Sequence, residues 1–101
     1  MNGASLAAVL GALDEIDDDL TIYAARPWHV ASRAVVVNEP EDSSVPSEAA
    51  GMAYVLQVRL AREVIRVWSE WRGGATARDE DAVAAVLHYA QNDTYLPVKE
   101  R

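Results

Sequence analysis

The chain has 101 residues, of which 50% are hydrophobic and 25% charged, the composition of an ordinary globular protein. Its length predicts one domain over residues 1–101. Because it has no cysteine, disulfides, thiolate metal sites and cysteine nucleophiles are excluded. A net charge of −7 disfavours nucleic-acid binding, which depends on cationic side chains. No apolar run approaches the roughly 18–20 residues of a membrane span.

The negative charge is concentrated in the first half of the chain. Residues 1–50 carry nine acids and two bases, whereas residues 51–101 carry seven of each. The first residues include no base, and Asp14 and Glu15 interrupt the apolar stretch that follows. A secretory signal peptide needs a basic start and a continuous apolar centre, so we expect a cytoplasmic protein.

The first half predicts one helix and a pair of strands. Apolar residues at helical spacing predict a helix over residues 5–16, with Ser5 as N-cap and Gly11 as its weakest position. Residues 20–24 and 34–37 are rich in β-forming side chains and predict two strands of an antiparallel hairpin. Arg26 and Pro27 end the first strand. Residues 40–47 predict an exposed, acidic, turn-rich loop.

The second half predicts two helices and a short tail. Residues 52–71 are apolar around most of a helix, which indicates a central position and an end at Gly73 and Gly74. Residues 54–58 fit a strand equally well. Thr76 and Asp79 resemble a capping box for a third helix that ends at Asn92, and residues 95–98 should pack back on the core.

These elements predict an α+β fold in the order α-β-β-α-α. In this fold a small antiparallel β-hairpin packs against three helices.

The densest polar feature comprises five carboxylates in residues 14–19. Carboxylate oxygens can hold calcium or magnesium, but the alternating acids and the glycine of an EF-hand are missing. The other interpretations are a solvated turn and an electrostatic docking surface. Docking is favoured if the second strand returns the acidic residues Glu39, Glu41 and Asp42 to the same end of the hairpin.

Neither histidine belongs to a recognisable catalytic arrangement. His29 and His88 have no serine in a nucleophile elbow, no glycine-rich phosphate loop and no second histidine at metal-ligand spacing. His88 borders an apolar stripe and should lie at the edge of the core. The sequence therefore predicts a protein that is not an enzyme, with no cofactor and no metal site.

The arginine stripe of the central helix predicts a salt-bridged surface. Arg59, Arg62 and Arg66 share one helical face, and Glu63 can pair with Arg59 or Arg66. Nucleic-acid binding is the weaker interpretation, because three arginines without a net basic patch give little phosphate affinity.

Trp28 is the best aromatic candidate for contact with a partner, because tryptophan dominates interface hot spots. The alternative is that Trp28 caps the open end of the hairpin core.

Several short segments of the chain resemble a family of small uncharacterised bacterial proteins; they are residues 18–24, Pro27-Trp28, residues 54–56 and residues 61–64. Small acidic single-domain proteins of this kind are similar to immunity proteins, which neutralise a toxin domain by binding it. The resemblance implies no site residues.

Together these observations predict a binding protein of the immunity or inhibitor type. Its acidic surface would meet a basic protein partner such as a toxin domain, steered by complementary charge. The predicted contacts are Asp17, Asp18, Asp19, Glu41 and Asp42, with Trp28 as the anchor. The alternative is a homodimer with a structural or regulatory role, in which the apolar central helix completes its core against a second copy.

Overall fold

A computed structural model describes residues 4–42 and 44–98. Its strands are β1 (Ala4–Ser5), β2 (Thr21–Ala24), β3 (Arg33–Val37) and β4 (Ala53–Gln57). Its helices are α1 (Leu6–Gly11), α2 (Val58–Glu70) and α3 (Asp79–Asn92), with 3₁₀ turns at Leu13–Glu15 and Ser47–Ala49. All strand pairs are antiparallel, in the order β1-β3-β2-β4. The α+β class is confirmed, but the order β-α-β-β-β-α-α corrects the predicted α-β-β-α-α.

The predicted hairpin is confirmed. Strands β2 and β3 pair so that Thr21 faces Val37 and Ala24 faces Ala34. Each strand differs from its prediction by one residue, because Leu20 lies outside β2 and Arg33 begins β3.

The start of the predicted central helix is wrong, because residues 53–57 form β4. The alternative strand interpretation of this segment is confirmed in type, and α2 begins only at Val58. Tyr54 and Val55 favour extended backbone, and β2 offers them a pairing edge. The register shifts by one residue at Val55, which is a β-bulge in an edge strand.

The first helix is shorter than predicted. Ser5 is its N-cap, as expected, and the Ser5 hydroxyl accepts a hydrogen bond from the Ala8 N–H at 3.1 Å. The α-helix ends at Gly11, the residue of lowest helix propensity within it. A 3₁₀ turn then carries the chain to the acidic turn.

The guanidinium of Arg62, on α2, caps the end of the 3₁₀ turn that follows α1. Its Nε donates to the Leu13 carbonyl at 3.0 Å, and its terminal nitrogens bond the Leu13 and Ile16 carbonyls and the Asp18 carboxylate. Carbonyls at a helix end lack partners within the helix, and a cation is favoured beside them. Arg62 therefore satisfies the carbonyls and offsets the unfavourable acids at this end.

The boundaries of the last two helices follow local chemistry. Gly74, at φ +87°, donates to the Ser69 carbonyl at 2.8 Å, which confirms the predicted glycine stop of α2. The predicted capping box at Thr76 is wrong. The Asp81 carboxylate instead accepts from the Arg78 N–H at 3.1 Å, two residues further along the chain. Helix α3 ends at Asn92, and its C-cap residue Asp93 adopts the left-handed conformation.

The sheet has a core on each face. One face packs against all three helices, and α2 buries its apolar side within its own chain. The opposite face carries a small cluster of Tyr23 and Val35 covered by Ala49 of the second 3₁₀ turn. No helix in residues 4–42 and 44–98 is long and apolar enough to cross a membrane.

The tail packs back on the helices, as predicted. The ring of Tyr95 meets that of Trp71 edge-on at 5.7 Å, and Arg72 donates to the Pro97 carbonyl at 3.1 Å.

Replacing Arg62 by Met should lower the free energy of unfolding by about 1–3 kcal/mol, because carbonyls of the helix end lose a charged donor. Urea denaturation measures the loss. Arg59→Met is the control, since Arg59 is exposed on the same helix and its effect should stay within about 0.5 kcal/mol. Equal losses in the two variants would contradict the role of Arg62.

Alanine should have opposite effects at two glycines. Gly74→Ala places a side chain at φ +87° and should destabilise by about 1–2 kcal/mol. Gly11→Ala meets no atom within 4 Å and should stabilise by up to about 1 kcal/mol through helix propensity. Thermal unfolding of both variants measures the difference, and a stabilised Gly74→Ala variant would contradict the assigned turn.

Candidate binding surfaces at the two ends of the sheet

Two acidic segments adjoin the same end of the β2–β3 hairpin in the chain. Because Thr21 faces Val37 across the hairpin, the residues before β2 and those after β3 leave the sheet together. The first segment carries Asp17, Asp18 and Asp19, and the second carries Glu41 and Asp42. All five residues are exposed, and we refer to them as the acidic end. The antiparallel register therefore brings together the residues that directly flank the two strands, and Glu41 and Asp42 follow four and five residues after β3.

The turn before β2 is ordered by its own aspartates. The Asp17 carboxylate accepts a hydrogen bond from the Asp19 N–H at 2.9 Å, and the Leu20 N–H donates to the Asp17 carbonyl at 3.2 Å. The Asp18 carboxylate pairs with Arg62. Asp18 is therefore already engaged within the chain, whereas Asp19 forms no ion pair with a residue that the structure describes.

The turn after β3 is ordered in the same way. The Asp42 carboxylate accepts from the Ser44 N–H at 3.0 Å. Hydrogen bonds from the hydroxyl and backbone of Ser44 hold the pKa of Asp42 below its ordinary value. Asp42 is consequently ionised throughout the neutral range.

The acidic residues do not converge on one point. Within residues 4–42 and 44–98, no three His, Cys, Asp or Glu side chains are grouped so that they could hold a metal ion.

Trp28 lies at the opposite end of the hairpin. Its indole N–H donates to the carbonyl of Ala24, the last residue of β2, at 3.0 Å. The ring is half-buried against the core, and the Arg26 guanidinium stacks on it at 4.4 Å from the ring centroid. The predicted anchor and the three aspartates before β2 therefore lie at opposite ends of that strand, and the half-burial of Trp28 also fits the capping interpretation.

The β2–β3 connection that holds Trp28 is extensively hydrogen-bonded. The Ser32 hydroxyl accepts from the His29 N–H at 2.8 Å and donates to the Pro27 carbonyl at 3.1 Å. The Ala31 N–H donates to His29 Nδ1 at 3.2 Å. The Leu6 N–H bonds the Ser32 carbonyl at 2.7 Å, so the start of α1 also fixes the connection.

This connection is also basic. Arg26 and Arg33, the two bases of residues 1–50, are both exposed at this end of the hairpin, and His29 is exposed between them. We call residues 25–33 the basic loop. Sequence reasoning overlooked the two arginines as a site, although the charge count contained the signal, since the first half has no other base.

The arginine stripe on α2 is largely paired, as predicted. Arg66 pairs with Glu70 at 3.1 Å and with Glu63 at 3.6 Å, and Arg62 pairs with Asp18. A groove of about 550 Å³ lies beside these side chains, between α1 and α2. Its arginines are committed to internal contacts, apart from Arg59, which pairs with no residue in the described ranges.

His88 is half-buried, as predicted for the edge of the core. Its neighbour is Asn92, whose amide nitrogen donates to the His88 carbonyl at 2.9 Å.

A pair of tyrosines lies on the face of the sheet away from the helices. The rings of Tyr23 and Tyr54 meet edge-on at 6.1 Å, and Tyr54 is 42% exposed. Burial and the nearby carboxylate of Glu39 raise the pKa of both phenols above the ordinary value. This exposed aromatic was also missed from the sequence, because its segment was assigned to a helix.

Comparison with protein-family models, with curated proteins and with solved structures found no match for this chain.

The tyrosine pair gives a pH prediction. A phenol whose pKa is raised on folding contributes stability that is complete below the unfolded pKa of about 10 and is lost as pH rises through the folded pKa. Unfolding free energy should therefore fall above about pH 10. In an ultraviolet titration, Glu39→Gln should move phenolate formation to lower pH. Glu41→Gln is the control, and an equal shift in both variants would contradict the placement of Glu39.

Proposed function

We propose that this chain is a non-enzymatic binding protein of the immunity or inhibitor type, whose acidic end receives a basic protein partner such as a toxin domain. One observation carries the proposal. Antiparallel pairing of β2 and β3 brings the residues directly before β2 and directly after β3 to one end of the hairpin, and the acidic segments that continue from there expose all five carboxylates. Exposed charge concentrated on one surface raises the association rate of an oppositely charged partner and disfavours acidic ones.

The ordered turns support this role. The backbone bonds of Asp17 and Asp42 fix the two turns before any partner arrives. A preordered surface spends less of its binding free energy on immobilising loops. Asp18 serves two purposes in this proposal, because its carboxylate also neutralises Arg62.

Trp28 fits a basic partner poorly. It lies beside Arg26 and Arg33, at the other end of β2 and β3, where a basic surface would be repelled. We therefore assign the proposed contact to the acidic end alone.

The alternative, a homodimer through the central helix, has less support. Val58, Ala61 and Val64 are buried within the chain, and Trp71 is the large apolar side chain that α2 leaves exposed at its C-terminal boundary, at 52%. A dimer built on α2 would have to form around Trp71.

The experiment measures association with purified basic proteins encoded by genes neighbouring that of this chain, each tested singly. The test variant is D17N/D19N/E41Q/D42N, which keeps Asp18 for Arg62 and keeps amide oxygens for the turn hydrogen bonds. For a binding partner, its association rate should fall by about tenfold or more, and the wild-type rate should decline steeply with salt.

The matched control removes the same number of charges elsewhere, as E70Q/D79N/E80Q/D93N on α2 and α3. It should bind within about twofold to threefold of the wild-type rate, because those charges lie outside the acidic end. Equal losses in the two variants would show that net charge alone governs binding. An unchanged rate in the acidic-end variant would refute the assigned surface.

A further inference from the structure

The basic loop is chemically complementary to the acidic end of the same molecule. It exposes Arg26, which stacks on the half-buried ring of Trp28, together with His29 and Arg33, and no acidic residue lies between Leu20 and Asn38. Neither arginine forms an ion pair with any residue in the described parts of the chain. The loop therefore presents two cations without an ionic partner among the described residues, one of them stacked on a tryptophan, and arginine and tryptophan are both enriched in protein interfaces.

The two surfaces are not paired within one copy. Asp19 leads into the sheet where Thr21 faces Val37, and the basic loop lies where Ala24 faces Ala34, about 10 Å away along strands of this length. Arg26 and Arg33 form no ion pair with a described residue of their own chain. Their charges are therefore left to pair with a second molecule.

The loop is prepared for such a contact by its internal hydrogen bonds. Ser32 links the backbone at His29 and Pro27, and the Trp28 indole is fixed to the Ala24 carbonyl. The exposed side chains therefore project from a backbone that needs little further ordering on binding.

We propose that the basic loop of one copy docks on the acidic end of a second copy, in a weak head-to-tail association. The inference shares the acidic end with the proposed function and adds a competing occupant for it. A head-to-tail contact is heterologous, so it extends to further copies unless the geometry closes a ring. The contacts are exposed ion pairs around one tryptophan, so association should appear only at high protein concentration.

The test follows the wild-type chain by NMR from micromolar to millimolar concentration at about 0.1 M ionic strength. At that salt the Debye length is about 10 Å, so the overall charges are largely screened while contacting charges still attract. The indole N–H signal of Trp28 should move with concentration. The indole N–H signal of Trp68 should stay fixed. Trp68 lies on α2 beneath the guanidinium of Arg72 and belongs to neither surface.

Two variants separate the surfaces. R26E/R33E reverses the basic loop, and D19K/E41K reverses two acids whose side chains make no hydrogen bond to a described residue. Each variant alone should lose the concentration dependence, and an equimolar mixture should regain it, because oppositely reversed surfaces attract again. Circular dichroism checks that both variants fold.

A wild-type Trp28 signal that stays constant to millimolar concentration overturns the inference, as does a mixture that remains monomeric. Failure here is distinct from failure of the proposed function. R26E/R33E keeps the acidic end intact and should bind a basic partner at least as fast as wild type.

Discussion

The bonds of Arg62 are the constraint on which the arrangement of the first half depends. The chain leaves α1 through a 3₁₀ turn and enters β2 through a turn of three aspartates, an end where carbonyl dipoles and carboxylates repel each other. One guanidinium from α2 bonds the Leu13 and Ile16 carbonyls and the Asp18 carboxylate together. The same contact joins α2 to a distant segment of the chain, because the two carbonyl acceptors lie 49 and 46 residues before Arg62 in the sequence. The acidic turn is held in place because Arg62 of the same chain balances part of its negative charge.

The antiparallel hairpin converts an uneven charge count into two surfaces. Acids precede β2 and follow β3, while Arg26 and Arg33 lie at the connection between the strands. Antiparallel pairing must bring the outer flanks together and send the connection to the other end. The net charge of −7 therefore includes two opposite surfaces, the acidic end and a smaller basic loop. The same composition would lose this separation of charge if the two strands paired in parallel, because parallel pairing would bring the acidic and basic segments together.

Local patterns predicted the two strands of the hairpin, the Ser5 cap and the glycine stop of α2, because each of these depends on residues within a few positions of one another. The start of α2 could not be predicted in the same way. The segment containing Tyr54 and Val55 has apolar residues suited to either state, and the decision depends on pairing with β2, about thirty residues earlier. The acidic end followed from the sequence once a hairpin was assumed. The Arg62 contact did not, since helical spacing suggests neighbours such as Glu63 and gives no information about Asp18.

The two proposed occupants of the acidic end differ in their long-range electrostatics. A basic partner is attracted at every separation, so steering adds to whatever contacts form at the surface. A second copy also carries −7 and is repelled until the basic loop lies within about a Debye length of the acidic end, where local complementarity prevails. Under the two proposals, the same charge that would draw a basic partner would limit self-association to a weak equilibrium. A basic partner would then displace the second copy from the acidic end, because only the self-contact has to overcome the repulsion between two acidic molecules.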